Sequence, residues 1–424
     1  MLRTRERRLL AGMRSRVATA GALALLAEAG LAGAQGIVPG DPAPSAYTLP
    51  YGFEPSVQLR TYFFNARSSS GAPSEAWALG GWAGVRSPWF GDRFQFGIVG
   101  YTSQPLYAPA DKPGSKLLLP DQDAINVLGE AFVAARFAGQ TLTAYRQLLD
   151  RPFLNSYDSR MAPNTFEAYT LSGALDGFTY TGGYVTKIKI RDSDSYVWMS
   201  NTAGGKGSQQ GLAFAGGTYA FAGTGYIKAD EQFTIDVFNT FFVEARVPIV
   251  YDERTSFGLA AQYFPQRSVG AAQLGTFSTW GAGLQGTGNY GPFGAKVSWT
   301  RTGRGYDTLY PFGEHPSFLA LMQVKFNTAG EDAWGVEASV DFASLGVPGI
   351  TASAVYASGR NAIDAATGAP LPDQNETNVR VDYAFAKGSS LNGLVFTFRY
   401  SWLRQEGSPL APELRAILNY AVPF

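Results

Sequence analysis

The chain has 424 residues, 45% of them apolar, 14% aromatic and only 16% charged, with 34 basic residues against 34 acidic ones. Soluble domains usually carry roughly 25% charge, so this composition argues against one, and a net charge of zero gives no basic field for nucleic acid. Cysteine is absent, which excludes disulfide scaffolds, thiolate metal sites and thiol catalysis.

Residues 1–34 differ from the rest. Arg3, Arg5, Arg7, Arg8, Arg14 and Arg16 precede a short apolar stretch that ends in Ala32-Gly33-Ala34. That order describes a secretory signal peptide cleaved after Ala34. The apolar run is shorter than the ~20 residues of a spanning helix. Removing these six arginines with Glu6 and Glu28 leaves 28 basic and 32 acidic residues, a net of −4. Residues 35–55, rich in proline and glycine, form a leader. The remainder, 56–424, reads as alternating segments of about 10 residues broken by turn residues, without a 20–50-residue repeat.

The first segment, "VQLRTYFF", sets Val57, Leu59, Thr61 and Phe63 against Gln58, Arg60, Tyr62 and Phe64. "YVTKIKIRD" places Lys187, Lys189 and Arg191 on the parity of Val185, with Tyr184, Ile188 and Ile190 opposite. Further on, "AWGVEASVDF" puts Trp334, Val336, Ala338, Val340 and Phe342 on one face. In "NVRVDYAF" the apolar face is Val379, Val381, Tyr383 and Phe385, against Asn378, Arg380 and Asp382. "LVFTFRYSW" sets Leu394, Phe396, Phe398, Tyr400 and Trp402 against Thr397, Arg399 and Ser401. The last strand gives Leu414, Ala416, Leu418, Tyr420, Val422 and Phe424 one parity, and Arg415, Ile417 and Asn419 the other.

One apolar and one polar face also suit a soluble antiparallel sheet. Aromatics at strand ends, and connections alternating short ("SLGVPG", "KGSSLNG") with long (358–376, 404–413), point instead to a transmembrane β-barrel. A closed wall leaves no backbone group unpaired in lipid. Its last strand must pair with its first, which explains an apolar strand running to the end of the chain. Roughly 390 residues at ~20–22 per strand and connection give about 18 antiparallel strands. The expectation is an all-β barrel in a bacterial outer membrane, contacting its lipid and inserted by dedicated machinery that reads the strand ending in Phe424. A trimer interface and a lipid face look alike in composition, so monomer and weak trimer both stay open.

The stretches "LRTYFFN" (59–65), "YDSRMAPNTFEA" (157–168), "EDAWGVEASVDFASLGVPGITASAVYASG" (331–359), "NETNVRVDYAF" (375–385) and "LNGLVFTFRYSWLRQ" (391–405) resemble the OprD family of substrate-specific outer-membrane porins. The resemblance spans most of the chain and is poorest over 192–250. It implies an 18-stranded barrel, an inward-folded constriction loop, and a ladder of basic lumen residues guiding small carboxylates such as amino acids. No cofactor is implied.

By parity, Arg60, Arg380, Arg399 and Arg415 fall opposite the apolar faces, and Lys187, Lys189 and Arg191 join them, because a charge facing hydrocarbon costs about 2–4 kcal/mol at the midplane. These seven are the candidate solute pathway. Such a track concentrates anions; the simpler alternative is pairing with Glu337, Asp341 and Asp382 on neighbouring strands. "QLLDRPFLNSYDSRMAPNTF" (147–166) is too apolar for an exposed loop and reads as the constriction, with Asp158, Ser159 and Arg160 near its narrowest point; a local turn network is the alternative. The lone His315 lacks the partners of a hydrolase triad or a metal cluster. "TAGGKGSQQG" (202–211) lacks phosphate-loop spacing. The reading is a passive porin for small polar solutes, with a general non-specific porin or a barrel enzyme as alternatives.

Overall fold

The computed structural model describes residues 50–221 and 224–422. The expected signal peptide, most of the leader and Phe424 lie outside the described residues. Eighteen wall strands follow one another in chain order. They are β1 (Glu54–Arg67), β2 (Pro73–Arg86), β3 (Phe94–Tyr107), β4 (Ile125–Phe137), β5 (Gln140–Gln147) and β6 (Thr165–Leu175). Next come β7 (Phe178–Lys189), β8 (Leu212–Phe221), β9 (Gly225–Thr234), β10 (Phe238–Val250), β11 (Thr255–Ser268) and β12 (Ser278–Tyr290). The ring is completed by β13 (Phe293–Thr302), β14 (Asp332–Asp341), β15 (Ile350–Arg360), β16 (Gln374–Ala384), β17 (Leu394–Gln405) and β18 (Ala411–Ala421). Each pairs antiparallel with its neighbour, and β1 closes on β18 from Gln58↔Ala421 to Ala66↔Glu413.

The two ends of the cylinder differ. One carries short turns, such as Asp176-Gly177, where φ of 45° and 82° gives the mirror-image turn whose twist suits a hairpin. Gly177 supplies the second of these angles at no steric cost. The other end carries the long connections 108–124, 148–164, 190–211, 303–331 and 361–373. Short periplasmic turns and long outer loops are the usual polarity of such barrels.

Alternation dictates the two faces. Leu59, Ile98, Val133, Leu259, Val297 and Val336 share the outer parity and are all exposed. A belt of large apolar side chains is unstable in water and stable against acyl chains. The inner parity is largely buried, because loops fold into the cylinder and pack on it. Leu117, Leu118 and Met161 cover Tyr62, Phe64, Ala76 and Ile417. Leu319, Leu321 and Phe326 cover Ala333, Val355 and Ala357. Leu149, Leu154 and Phe312 pack on Phe166, Val185, Ile188 and Phe238. The core is loop against wall.

One expectation is corrected here. A register shift between Glu167 and Ala168 pairs Ala168 with Val185 but Glu167 with Lys187, leaving Thr186 as an extra residue. Parity flips at that bulge. Ile188, expected to face outward, is buried in the inner cluster with Phe166. Lys187 instead shares a cross-strand row with Glu167 and Arg146 on the parity of the exposed Tyr169.

Candidate functional site

The loop 148–164 leaves the wall after the short strand β5 and reaches strands far apart on the ring. At one end Arg151 pairs with Asp230 of β9. At the other, Arg60 of β1 grips Asp158, donating through Nη1 and Nη2 at 2.7 and 3.0 Å. Arg60 also donates to Asn419 Oδ1 (2.7 Å) and to the carbonyl of Arg160, and is only 1% exposed. A loop tied to β1 and β9 crosses the lumen.

The tripeptide 158–160 is turned toward the wall. Asp158, Ser159 and Arg160 are all buried. Arg160 donates to the carbonyls of Ser115 (2.8 Å) and Ser159 (2.9 Å) and lies over the Phe64 ring at 5.0 Å. Burial, then the cations Arg415 and Arg191, lowers its guanidinium to about 10. These residues hold the loop down. The next residue inward, Tyr157, is half-buried, adopts φ of 43°, and stacks under the Arg191 guanidinium at 4.0 Å. Arg191 also donates to Ser159 Oγ. Burial alone would raise the Tyr157 phenol, but Lys325, Arg191 and Arg160, against an opposing Glu314, bring it down to about 8.

Across from it runs a row of arginines. Arg380 of β16 stands opposite Arg399 of β17, and Arg399 opposite Arg415 of β18. Opposed residues sit about 4.5–5.5 Å apart at Cβ. Arg380 is half-buried and pairs with Asp382 at 2.5 Å, while Arg415 pairs with Glu413. Arg399 and Arg415 are 3% and 4% exposed. Of the other sequence-derived candidates, Lys189 is buried with Nζ on the Pro163 carbonyl at 2.7 Å, anchoring the returning end of the loop. Lys187 lies 3.7 Å from Glu167 and against the Trp198 ring at 5.4 Å. It does not join the arginine row.

Sequence reasoning missed the second inward loop, 303–331. It carries Glu314 and the buried Lys325, whose Nζ donates to the Leu321 carbonyl at 2.5 Å. Burial raises the Glu314 carboxyl, opposed by Lys325, Arg399, Arg191 and Arg415, which places it before four cations. The buried Glu376 of β16 pins this loop by accepting the backbone N–H groups of Gln323 and Val324 at 2.8–3.2 Å. Its run "LYPFGEHPSFLALMQVKF" (309–326) is too apolar for an exposed loop, the same signal that singles out 147–166. His315 is packed edge-on against Phe153, Phe264 and Tyr310. Its Nδ1 accepts from Ser317 N–H at 3.2 Å, so its Nε2 carries the proton toward Thr308 Oγ1 at 2.9 Å. It is a neutral packing residue. Among the described residues no group of three or more His, Cys, Asp or Glu could hold a metal.

Tyr157, Arg191 and Glu314, with the arginine row nearby, are the candidate frame of a gap between the inward loops and the wall, and a gap so lined can pass and sort small polar solutes. Comparison with known proteins agrees. The family profile described as "outer membrane porin, OprD family" matches residues 52–424. Porin D of Pseudomonas aeruginosa is 24% identical over 406 residues, 85% of this chain and 89% of that protein. Pseudomonas aeruginosa OccK9 (OpdG) superposes with a TM-score of 0.81 at 23% identity, over 89% of this chain and all of that one. A BenF-like porin from Pseudomonas fluorescens Pf-5 gives 0.80 at 20%, over 88% and 99%. Pseudomonas aeruginosa OpdK, solved with vanillate, gives 0.78 at 22%, over 87% and 98%. The chain belongs to the OprD family of outer-membrane porins, and is a channel for passive diffusion of small solutes, not an enzyme.

Proposed function

We propose that the solutes are small carboxylates, amino acids among them, drawn through the aperture by a row of positive charge. The row Arg380–Arg399–Arg415 carries this reading. Like charges directly opposed across strands destabilise a sheet. Asp382 pairs with Arg380 and Glu413 with Arg415, each along its own strand. A sequence that bears this cost on three adjacent strands gains a positive potential at the narrowest point, where the low-dielectric wall focuses it. Such a field replaces part of the hydration a carboxylate loses on entry. The similar OpdK was crystallised with vanillate, an aromatic carboxylate.

In this reading Arg191 and Arg380 meet the solute and Arg399 and Arg415 supply field from behind. Arg60, Lys189 and the tripeptide 158–160 hold the constriction loop in place, and Lys187 stands outside the route. The wall closes on its own first strand. That supports a channel complete in one chain, whether alone or in a loose trimer, with the final strand as the signal for insertion.

The test is ion selectivity. Arg380→Ala with Arg399→Ala lowers anion preference, read as the reversal potential across a planar bilayer in a salt gradient, while the barrel stays folded. Uptake of carboxylates into liposomes falls and that of neutral sugars of equal size does not. An unchanged reversal potential refutes the reading.

A further inference from the structure

The anchor at the far end of the constriction loop is built as a socket. Arg151 donates through Nε to Asp230 Oδ2 at 2.7 Å, and Nη2 reaches the same oxygen. The Asp230 side chain is fully buried. Its Oδ1 accepts from Gln232 Nε2 at 3.0 Å, and that amide also donates to the Pro152 carbonyl. Directly opposite Asp230, on β8, stands Gly216. A Cβ added there would run into Asp230 Oδ2, Arg151 Nη2 and the Ala229 carbonyl oxygen. The glycine is required by close approach: the ion pair and the β9 backbone occupy the space a side chain would fill.

This anchor and the Arg60–Asp158 pair sit eight strands apart on the ring, with six residues between Arg151 and Asp158. The seven Cα steps from one to the other span at most about 25 Å. The intervening segment is therefore held at both ends. Within it, Asn155 ties the two inward loops together: its Oδ1 accepts from Glu314 N–H at 2.9 Å, and Leu154 bridges to Phe312 in parallel. Tyr157 and Glu314, two groups that frame the gap, thus hang on the same segment.

We infer that Arg151, Asp230 and Gly216 are positioning residues for permeation: the socket sets the aperture by fixing where Tyr157 and Glu314 stand, without touching the solute. The inference rests on the porin function and holds for whatever solute passes, so it is independent of the carboxylate assignment. Arg151 is a cation near a pore, and the competing idea is that it acts by its charge. The two ideas differ in what they change. A lost route charge moves the reversal potential. A loosened loop moves the unit conductance and the open-channel noise.

Single-channel recording in planar bilayers separates them. Arg151→Gln removes the pair, Gly216→Ala evicts the guanidinium while keeping every charge, and Arg151→Lys restores one donor. Arg151→Gln and Gly216→Ala are each expected to raise open-channel noise several-fold and to alter unit conductance, and Arg151→Lys to bring noise back toward the starting value. Heat-modifiable migration in gels reports the folded barrel. Should Gly216→Ala fail to fold, Arg151→Gln carries the test, since Arg151 lies outside the wall strands. Conductance and noise unchanged in Arg151→Gln overturn the inference. So does a shifted reversal potential with unchanged noise, which assigns Arg151 to the route. The carboxylate reading fails separately, on the reversal potential of the Arg380/Arg399 variant.

Discussion

Cutting the Arg60–Asp158 pair is expected to loosen the tip of the constriction loop without unfolding the wall. Arg60 is 1% exposed and its guanidinium is committed to Asp158, Asn419 and the Arg160 carbonyl. Removing one partner of a buried pair costs about 3–5 kcal/mol, chiefly because the other charge is left unpaired. At 1.4 kcal/mol per tenfold, that shifts the seated–released balance of the tip by roughly 10² to 10³ or more. Burial of Met161 contributes about 1.5–3 kcal/mol on the other side, so the tip is weakened and not fully detached. The perturbations are Arg60→Met and Asp158→Leu, singly and together. Each single variant should show flickering sub-conductance states in planar bilayers. The double variant should be quiet again, since two apolar residues of similar volume often replace a buried pair at little cost. The Arg160 carbonyl and the Asn419 amide then turn to lumen water. A double variant as noisy as either single one would refute the reasoning, because the pair would then matter as charge and not as a clasp.

Two further predictions concern pH. The Tyr157 phenol is protonated below about pH 8 and ionised above it, so anion selectivity should fall between pH 7 and 9 as a negative charge appears in the gap. Reversal potentials measured across that range should show the step, and Tyr157→Phe should abolish it. His315 is held neutral by burial, then by Lys325, down to about pH 3, against its ordinary 6.5. A released loop would take up the proton near 6.5 and the packed one would not. The contribution of His315 to loop packing is therefore complete above pH 6.5 and is lost as pH falls toward 3. Proteolysis of the loop 303–331 should rise over that window and stay flat in His315→Phe.

The wall was legible because lipid imposes period two on every strand. A residue such as Val336 or Phe396 must face acyl chains, and its neighbours Glu337 and Thr397 must not. That single constraint located strands, gave their number to a close count, and put Arg380, Arg399 and Arg415 opposite the apolar faces; that they stand in one row comes from the register. It failed at Lys187, where one extra residue, Thr186, reverses the faces. Nothing in the composition of "YVTKIKIRD" marks a bulge; only the cross-strand partner does. The lumen loops were less legible for another reason. They have no period, and their burial depends on which part of the wall they meet. The apolar content of 147–166 betrayed one of them. The same signal stands in 309–326 and went unread, and with it Lys325 and Glu314.

The charged residues of the lumen fall into two groups, and exposure with pairing tells them apart. Arg60, Lys189 and Glu376 bond from the wall to a loop, Arg151 bonds from a loop to the wall carboxylate Asp230, and all are buried or nearly so. Their energy holds the loops, and any solute would have to break those bonds to use them. Arg191 and Arg380 keep accessible surface beside the gap, and Arg380 bonds to a carboxylate of its own strand and not to a loop. Parity assigns Arg60, Glu376 and Arg380 to the same face, and so cannot separate anchor from route. What separates them is burial together with the partner: a buried side chain whose bonds tie loop to wall fixes the shape of the pore, and one that keeps surface toward the gap determines what charge may pass. Substitutions in the first group should therefore act on conductance and noise, and those in the second on selectivity.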